Sequence, residues 1–71
     1  MTDTKQLKSV MVAKGITLKE LAEKIGISRT SLSYKINNKV EFTSSEVAKI
    51  QKALNMSVKL RDLIFFAKEV D

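Results

Sequence analysis

Only three residues, Gly26-Ile27-Ser28, separate two short stretches of helical character, 18–25 and about 29–37. Leu18, Leu21, Ala22 and Ile25 recur at helical spacing in the first, and Leu32 and Ile36 in the second. Helices joined so tightly can cross steeply only if their backbones approach closely. Ala22 supplies a small side chain at the crossing, and Gly26 a backbone conformation that a β-carbon would penalise. Ile25, Ile27 and Leu32 fill the angle between the two helices.

Capping signals divide the rest of the chain. Leu7, Val10 and Met11 form one apolar face of a first helix over about 4–14, which Gly15 ends in a left-handed conformation. Thr17-Leu18-Lys19-Glu20 reads as a capping box that opens the second helix. Ser28 caps the third, and Asn37-Asn38-Lys39 marks its end. Thr43-Ser44-Ser45-Glu46 is a second capping box, opening a fourth helix over about 44–54 with Val47, Ile50 and Leu54 on one stripe. Ser57 caps a fifth over about 58–68, with Leu60, Leu63, Ile64 and Ala67 facing inward. No alternating run is bounded by turn residues, so the expected fold is all-α: a compact five-helix unit, one domain over 1–71.

Composition removes several chemistries. The chain has neither Cys nor His, so thiolate nucleophiles, Cys/His zinc sites and imidazole acid–base catalysis are unavailable. No enzyme and no cofactor are expected. The longest apolar run, Leu63 to Ala67, is far below the roughly 20 residues that cross a bilayer, and the polar start Met1–Lys5 leads to no signal-type core. A cytoplasmic location is the expectation. Residues 1–40 carry eight Lys or Arg and three acids, whereas 41–71 carry five of each; the whole net charge of +5 lies in the first part. Such asymmetry suits a polyanionic partner.

The arrangement between Leu18 and Asn37 is a helix-turn-helix. The run Thr17-Leu18-Lys19-Glu20-Leu21-Ala22-Glu23-Lys24-Ile25-Gly26-Ile27-Ser28-Arg29-Thr30-Ser31-Leu32-Ser33 resembles the Xre or Cro/CI family of phage-type repressors. The Asn37-Asn38-Lys39 loop, Phe42-Thr43 and the Leu63–Ala67 tail look like short phage-encoded members, so the likeness covers nearly the whole chain. It implies a lambda-repressor-like fold, a double-stranded DNA operator as partner, and a third helix that lies in the major groove. The sequence departs from the family at three places. Leu18 stands where many members have a phosphate-holding Gln, Lys35 where many have an apolar residue, and Asn38 where Gly is common.

On a wheel of about 100° per residue, Thr30, Ser33, Tyr34 and Asn37 point away from Leu32 and Ile36. Arg29, in the first turn, can reach round the helix end. These side chains offer hydroxyls, a phenol, an amide and a guanidinium, groups that read base edges. The resemblance implies base contacts from Arg29, Thr30 and Tyr34, and Ser33 shares their face. Thr17, Lys19, Ser31, Asn37, Asn38 and Lys39 are candidates for the DNA backbone, since free amides and the positive dipole end of the second helix lie nearby. Lys24 and Lys35 are expected to be solvated.

Helix five has more apolar residues than one face needs. One of Phe65 and Phe66 should point away from the inward stripe and serve a homodimer interface, weak in the absence of DNA. The expected function is a sequence-specific Cro-like repressor that occludes a promoter and needs no effector domain. The alternative is an antirepressor or antitoxin-like regulator that uses the same fold to bind a partner protein of repressor type.

Overall fold

The computed structural model describes residues 1–66, which form five helices: α1 (Thr4–Lys14), α2 (Leu18–Ile25), α3 (Arg29–Ile36), α4 (Ser44–Ala53) and α5 (Val58–Phe65). Each begins at a side chain that takes the amide three residues on. Asp3, Thr17, Ser28, Thr43 and Ser57 accept from Gln6, Glu20, Ser31, Glu46 and Leu60. Both expected capping boxes close, with Glu20 and Glu46 reaching back to the amides of Thr17 and Thr43.

Left-handed residues end the first four helices or follow their last turn. Gly15 (φ 68°) and Gly26 (φ 78°) do so as glycines, Asn38 (φ 63°) and Asn55 (φ 52°) as the side chain that best tolerates that region. At Gly26 the chain reverses sharply: the amides of Gly26 and Ile27 both donate to the Ala22 carbonyl, at 2.9 and 3.1 Å. Two residues later Ser28 caps α3. The Asn38 conformation also explains how this chain does without the family's glycine there.

The core lies where α2 meets α3 and α4, with α5 bridging α4 and α1. Leu7, Leu21, Leu32, Ile50, Leu54 and Ile64 are fully buried, one or more from every helix or its cap. Phe42, before α4, meets Phe65 edge-on, ring centres 5.3 Å apart. That contact turns the packed face of α5 toward Phe65. Leu63, expected inward, is consequently 46% exposed. Helix α5 ends at Phe65, short of the expected 68, and the inward assignment of Ala67 falls outside the described residues.

Lys35 also departs from expectation. It is not a solvated lysine: its Nζ meets both carboxylate oxygens of Glu46 at 2.6 Å, with the two side chains only 14% and 12% exposed. An aliphatic stem inside and an ammonium paired with a carboxylate let a charged residue stand where the family often has an apolar one. Burial pushes the Glu46 carboxyl up. The hydrogen bond and charge of Lys35, with the amide and hydroxyl of Thr43, outweigh it and hold the group below the ordinary carboxylate range.

A clasp at the N-terminus closes the fold. The Thr2 amide donates to Asn38 Oδ1 (2.8 Å), and Asn38 Nδ2 donates to the Thr2 carbonyl (2.9 Å). The Thr4 hydroxyl donates to the Ile36 carbonyl, and the Asp3 amide to that of Ile64 (2.7 Å). The start of α1 is thereby tied both to the end of α3 and to the end of α5.

A β-carbon at Gly26 would meet nothing within 4 Å, so the constraint there is backbone conformation and not space. Gly26→Val should cost about 1–3 kcal/mol, whereas Gly26→Asn should cost less, because Asn already holds this conformation at two other positions. Thermal melts of the two variants check this; equal destabilisation would show that a steric contact dominates instead.

Candidate nucleic-acid interface

Helix α3 has two unlike faces. Leu32 and Ile36 are buried, while Arg29 and Thr30 are exposed and Tyr34 is half-exposed. Arg29, Thr30, Ser33 and Tyr34 line one shallow concavity together with Leu18 from the start of α2. The four side chains singled out as base readers are thus brought together. Leu18 sits half-buried beside them, an apolar wall where a hydrogen-bonding side chain is common in the family. Among the described residues, the ammonium of Lys35 and the guanidinium of Arg61 have carboxylate partners, but that of Arg29 does not.

The backbone candidates divide. Thr17 is fully occupied by its capping box: its amide and hydroxyl both donate to Glu20 Oε1, at 3.1 and 3.0 Å, and its hydroxyl accepts the Glu20 amide. These two hydrogen bonds from Thr17, with the charge of Lys24, hold the Glu20 carboxyl below its ordinary value. An intrinsic anion therefore already sits at the positive end of α2. The amides of Leu18 and Lys19 and the Lys19 side chain are what remain there for a phosphate.

Asn37 donates to the Ser33 carbonyl at 2.9 Å and contacts its hydroxyl at 3.4 Å, closing the last turn of α3. Asn38 spends its amide on Thr2, leaving little for DNA. Lys39 lies beside the reading face, its Nζ 5.6 Å from the centre of the Tyr34 ring. A cation over the ring holds positive charge next to the candidate base readers. Ser31 is exposed but lies outside the concavity that gathers the other four.

Sequence reasoning passed over Lys8. It flanks a second groove, between α1 and α3, that runs on from Ser33 and Asn37 past Met11, Val12 and Ile16. The signal was available, since Lys8 stands off the Leu7–Met11 stripe of α1. Which flank of α3 that side of α1 meets depends on tertiary packing.

The two terminal phenylalanines separate as expected. Phe65 is buried at 6% exposure, and Phe66 is 54% exposed, with the Arg61 guanidinium 5.9 Å from its ring. Phe66 and Met1 border a hollow floored by Phe42, Val47 and Phe65, on a different part of the molecule from the Arg29 concavity. Among the described residues no cluster of acids could hold a metal, and no helix is long and apolar enough to cross a membrane.

Residues 7–60 match the helix-turn-helix family, most of the chain and all of the α2–turn–α3 unit. No curated protein matches the chain.

Two substitutions separate reading from anchoring. Arg29→Ala should cost about 1–3 kcal/mol of specific binding and relax preference at one base position, with little effect on folding because the side chain is exposed. Lys39→Ala should weaken binding to preferred and random duplexes alike and lower the salt slope by about one unit. Quantitative titrations at several salt concentrations distinguish the two patterns; a wild-type profile for Arg29→Ala would remove it from the reading set.

Proposed function

Because the chain belongs to the Xre/Cro-CI-type helix-turn-helix family, a family of DNA-binding transcriptional regulators, we propose that it is a Cro-like repressor of phage or prophage type. It binds an operator in double-stranded DNA and occludes the promoter beneath. The observation that carries this reading is the concavity formed by Arg29, Thr30, Ser33 and Tyr34 on a helix whose opposite face is anchored by Leu32 and Ile36. A polar face on an eight-residue helix whose other side is buried has the dimensions of a major-groove reader. Lys19 and Lys39 supply the phosphate attraction that holds this face in register, with the α2 amides beside Lys19. DNA as partner goes with a cytoplasmic site of action.

One such helix reads few base pairs, and specific sites must be about 10³–10⁷ tighter than random ones. Pairing two copies doubles the contact set. The exposed Phe66, with Met1 beside it, is the apolar surface suited to that pairing. The repressor therefore acts as a twofold dimer, its half-site centres about 34–36 Å apart or a multiple of that. The same surface would serve a repressor-type protein partner if the chain were an antirepressor or antitoxin-like regulator.

A mobility-shift assay on duplexes from the chain's own gene neighbourhood, with ultracentrifugation of the complex, tests the proposal. Two protomers per operator are expected. Phe66→Ser should lose cooperative binding and keep its helical signal. Phe65→Ser should lose about 3–5 kcal/mol of stability, since it empties part of the core. One protomer bound at saturation, unaffected by Phe66→Ser, excludes the dimer. Absence of any shift, with capture of a purified repressor instead, favours the protein-binding alternative.

A further inference from the structure

Helix α3 is held to the core by a narrow stripe. Leu32 and Ile36 are its only buried side chains, and they stand one turn apart on one line. Two points on a line fix where a helix lies, and the Thr4 bond to the Ile36 carbonyl holds only its last residue, so these contacts define its roll about that line weakly. Roll matters for a reading helix: side chains extend about 5–6 Å from the axis, so a turn of about 10° moves their ends by about 1 Å. A shift of that size takes a hydrogen bond out of range.

Lys35 stands on one flank of the stripe, with Ser33 on the other. Its ammonium is gripped by both oxygens of Glu46 at 2.6 Å. Glu46 is itself immobilised as the third residue of α4, where Oε1 accepts the Thr43 amide at 2.9 Å and the Glu46 amide donates to the Thr43 hydroxyl at 3.1 Å. Among the described residues this is the only ion pair that joins two helices; the other links neighbours on α5. A pair this buried is screened little by salt. It also contributes little net stability compared with a neutral, well-packed replacement. Direction, more than strength, is what it adds.

We infer that Lys35 is a positioning residue: through Glu46 it locks the roll of α3 against α4 and so sets the aim of Arg29, Thr30 and Tyr34. The inference rests on the reading of α3 as the DNA-contacting helix. Lys35 itself touches no DNA, its ammonium being committed to Glu46. Its contribution is to discrimination between sequences and not to affinity for DNA in general.

The test uses the full chain, a duplex that the wild-type protein enriches from a random-sequence pool, and a shuffled duplex of the same composition. In Lys35→Met/Glu46→Gln both charges go, while Gln can still cap Thr43. This variant should melt within a few degrees of wild type. It should bind the shuffled duplex with unchanged affinity and salt slope, and prefer the enriched duplex about tenfold less, roughly the worth of one base contact. Lys35→Arg, which can still grip Glu46, should keep the preference. Should that variant fail to fold, Lys35→Leu/Glu46→Gln, which also removes both charges together, carries the same expectation. Full preference in the charge-free variant overturns the inference. So does equal weakening on both duplexes with a salt slope lower by about one unit, which would make Lys35 a phosphate contact. A wild-type chain that enriches no sequence defeats the DNA-reading assignment itself; wild-type preference retained in the variants defeats only the positioning role.

Discussion

The reversal at Gly26 governs the rest of the molecule. With φ at 78°, that residue lets the Ala22 carbonyl accept two successive amides, so α2 stops within one residue and the chain leaves at a steep angle. Ser28 then restarts a helix at once. Because the link is so short, the direction of α3 is not free to vary. Leu21, Ala22 and Ile25 on one side of the corner and Leu32 and Ile36 on the other bury against the same core, and α4 packs across α2 to seal it. The polar face of α3 must therefore point outward, beside the start of α2. The juxtaposition of Leu18 with Arg29, Thr30, Ser33 and Tyr34 is a consequence of that corner.

What could be read from the sequence is what depends on near neighbours. A cap needs only residues i and i+3, and a left-handed stop only one residue, so the starts of α2 to α5 and the stops at Gly15 and Gly26 emerge where the residues place them. The outward face of α3 follows from periodicity alone. The features missed all join distant residues. Lys35 finds Glu46 eleven positions away, and Asn38 finds Thr2 thirty-six away. Residue type gives no sign of either pairing. Leu63 was misjudged for the same reason: a wheel treats α5 as facing one apolar surface, whereas Phe42 arrives from another segment and draws the packed face toward Phe65.

Long-range contacts also change the meaning of the candidate residues. Thr17 and Asn38 have polar groups suited to phosphate, yet both are consumed inside the chain, one by Glu20 and one by Thr2. Their hydrogen bonds hold the start of α2 and the end of α3 in place. In the proposed reading, phosphate attraction falls to Lys19, Lys39 and the open amides of Leu18 and Lys19, with Lys8 flanking the neighbouring groove. On that reading, base readout and backbone attraction fall to different side chains of one corner.

The central claim is that this corner is the surface that meets DNA. Its most direct test is a titration of isotope-labelled protein with a short duplex, followed through the backbone amides; a random sequence suffices, because non-specific contacts are electrostatic and engage the same basic face. The largest shifts should fall on Leu18 and Lys19 and on the segment from Arg29 to Lys39, with α4 and the Phe66 region changing little. Shifts centred on Lys24, Lys49 and Lys52, which gather around a separate hollow between the ends of α2 and α4, or on Phe66 and Met1, with the Arg29 segment unmoved, would contradict it.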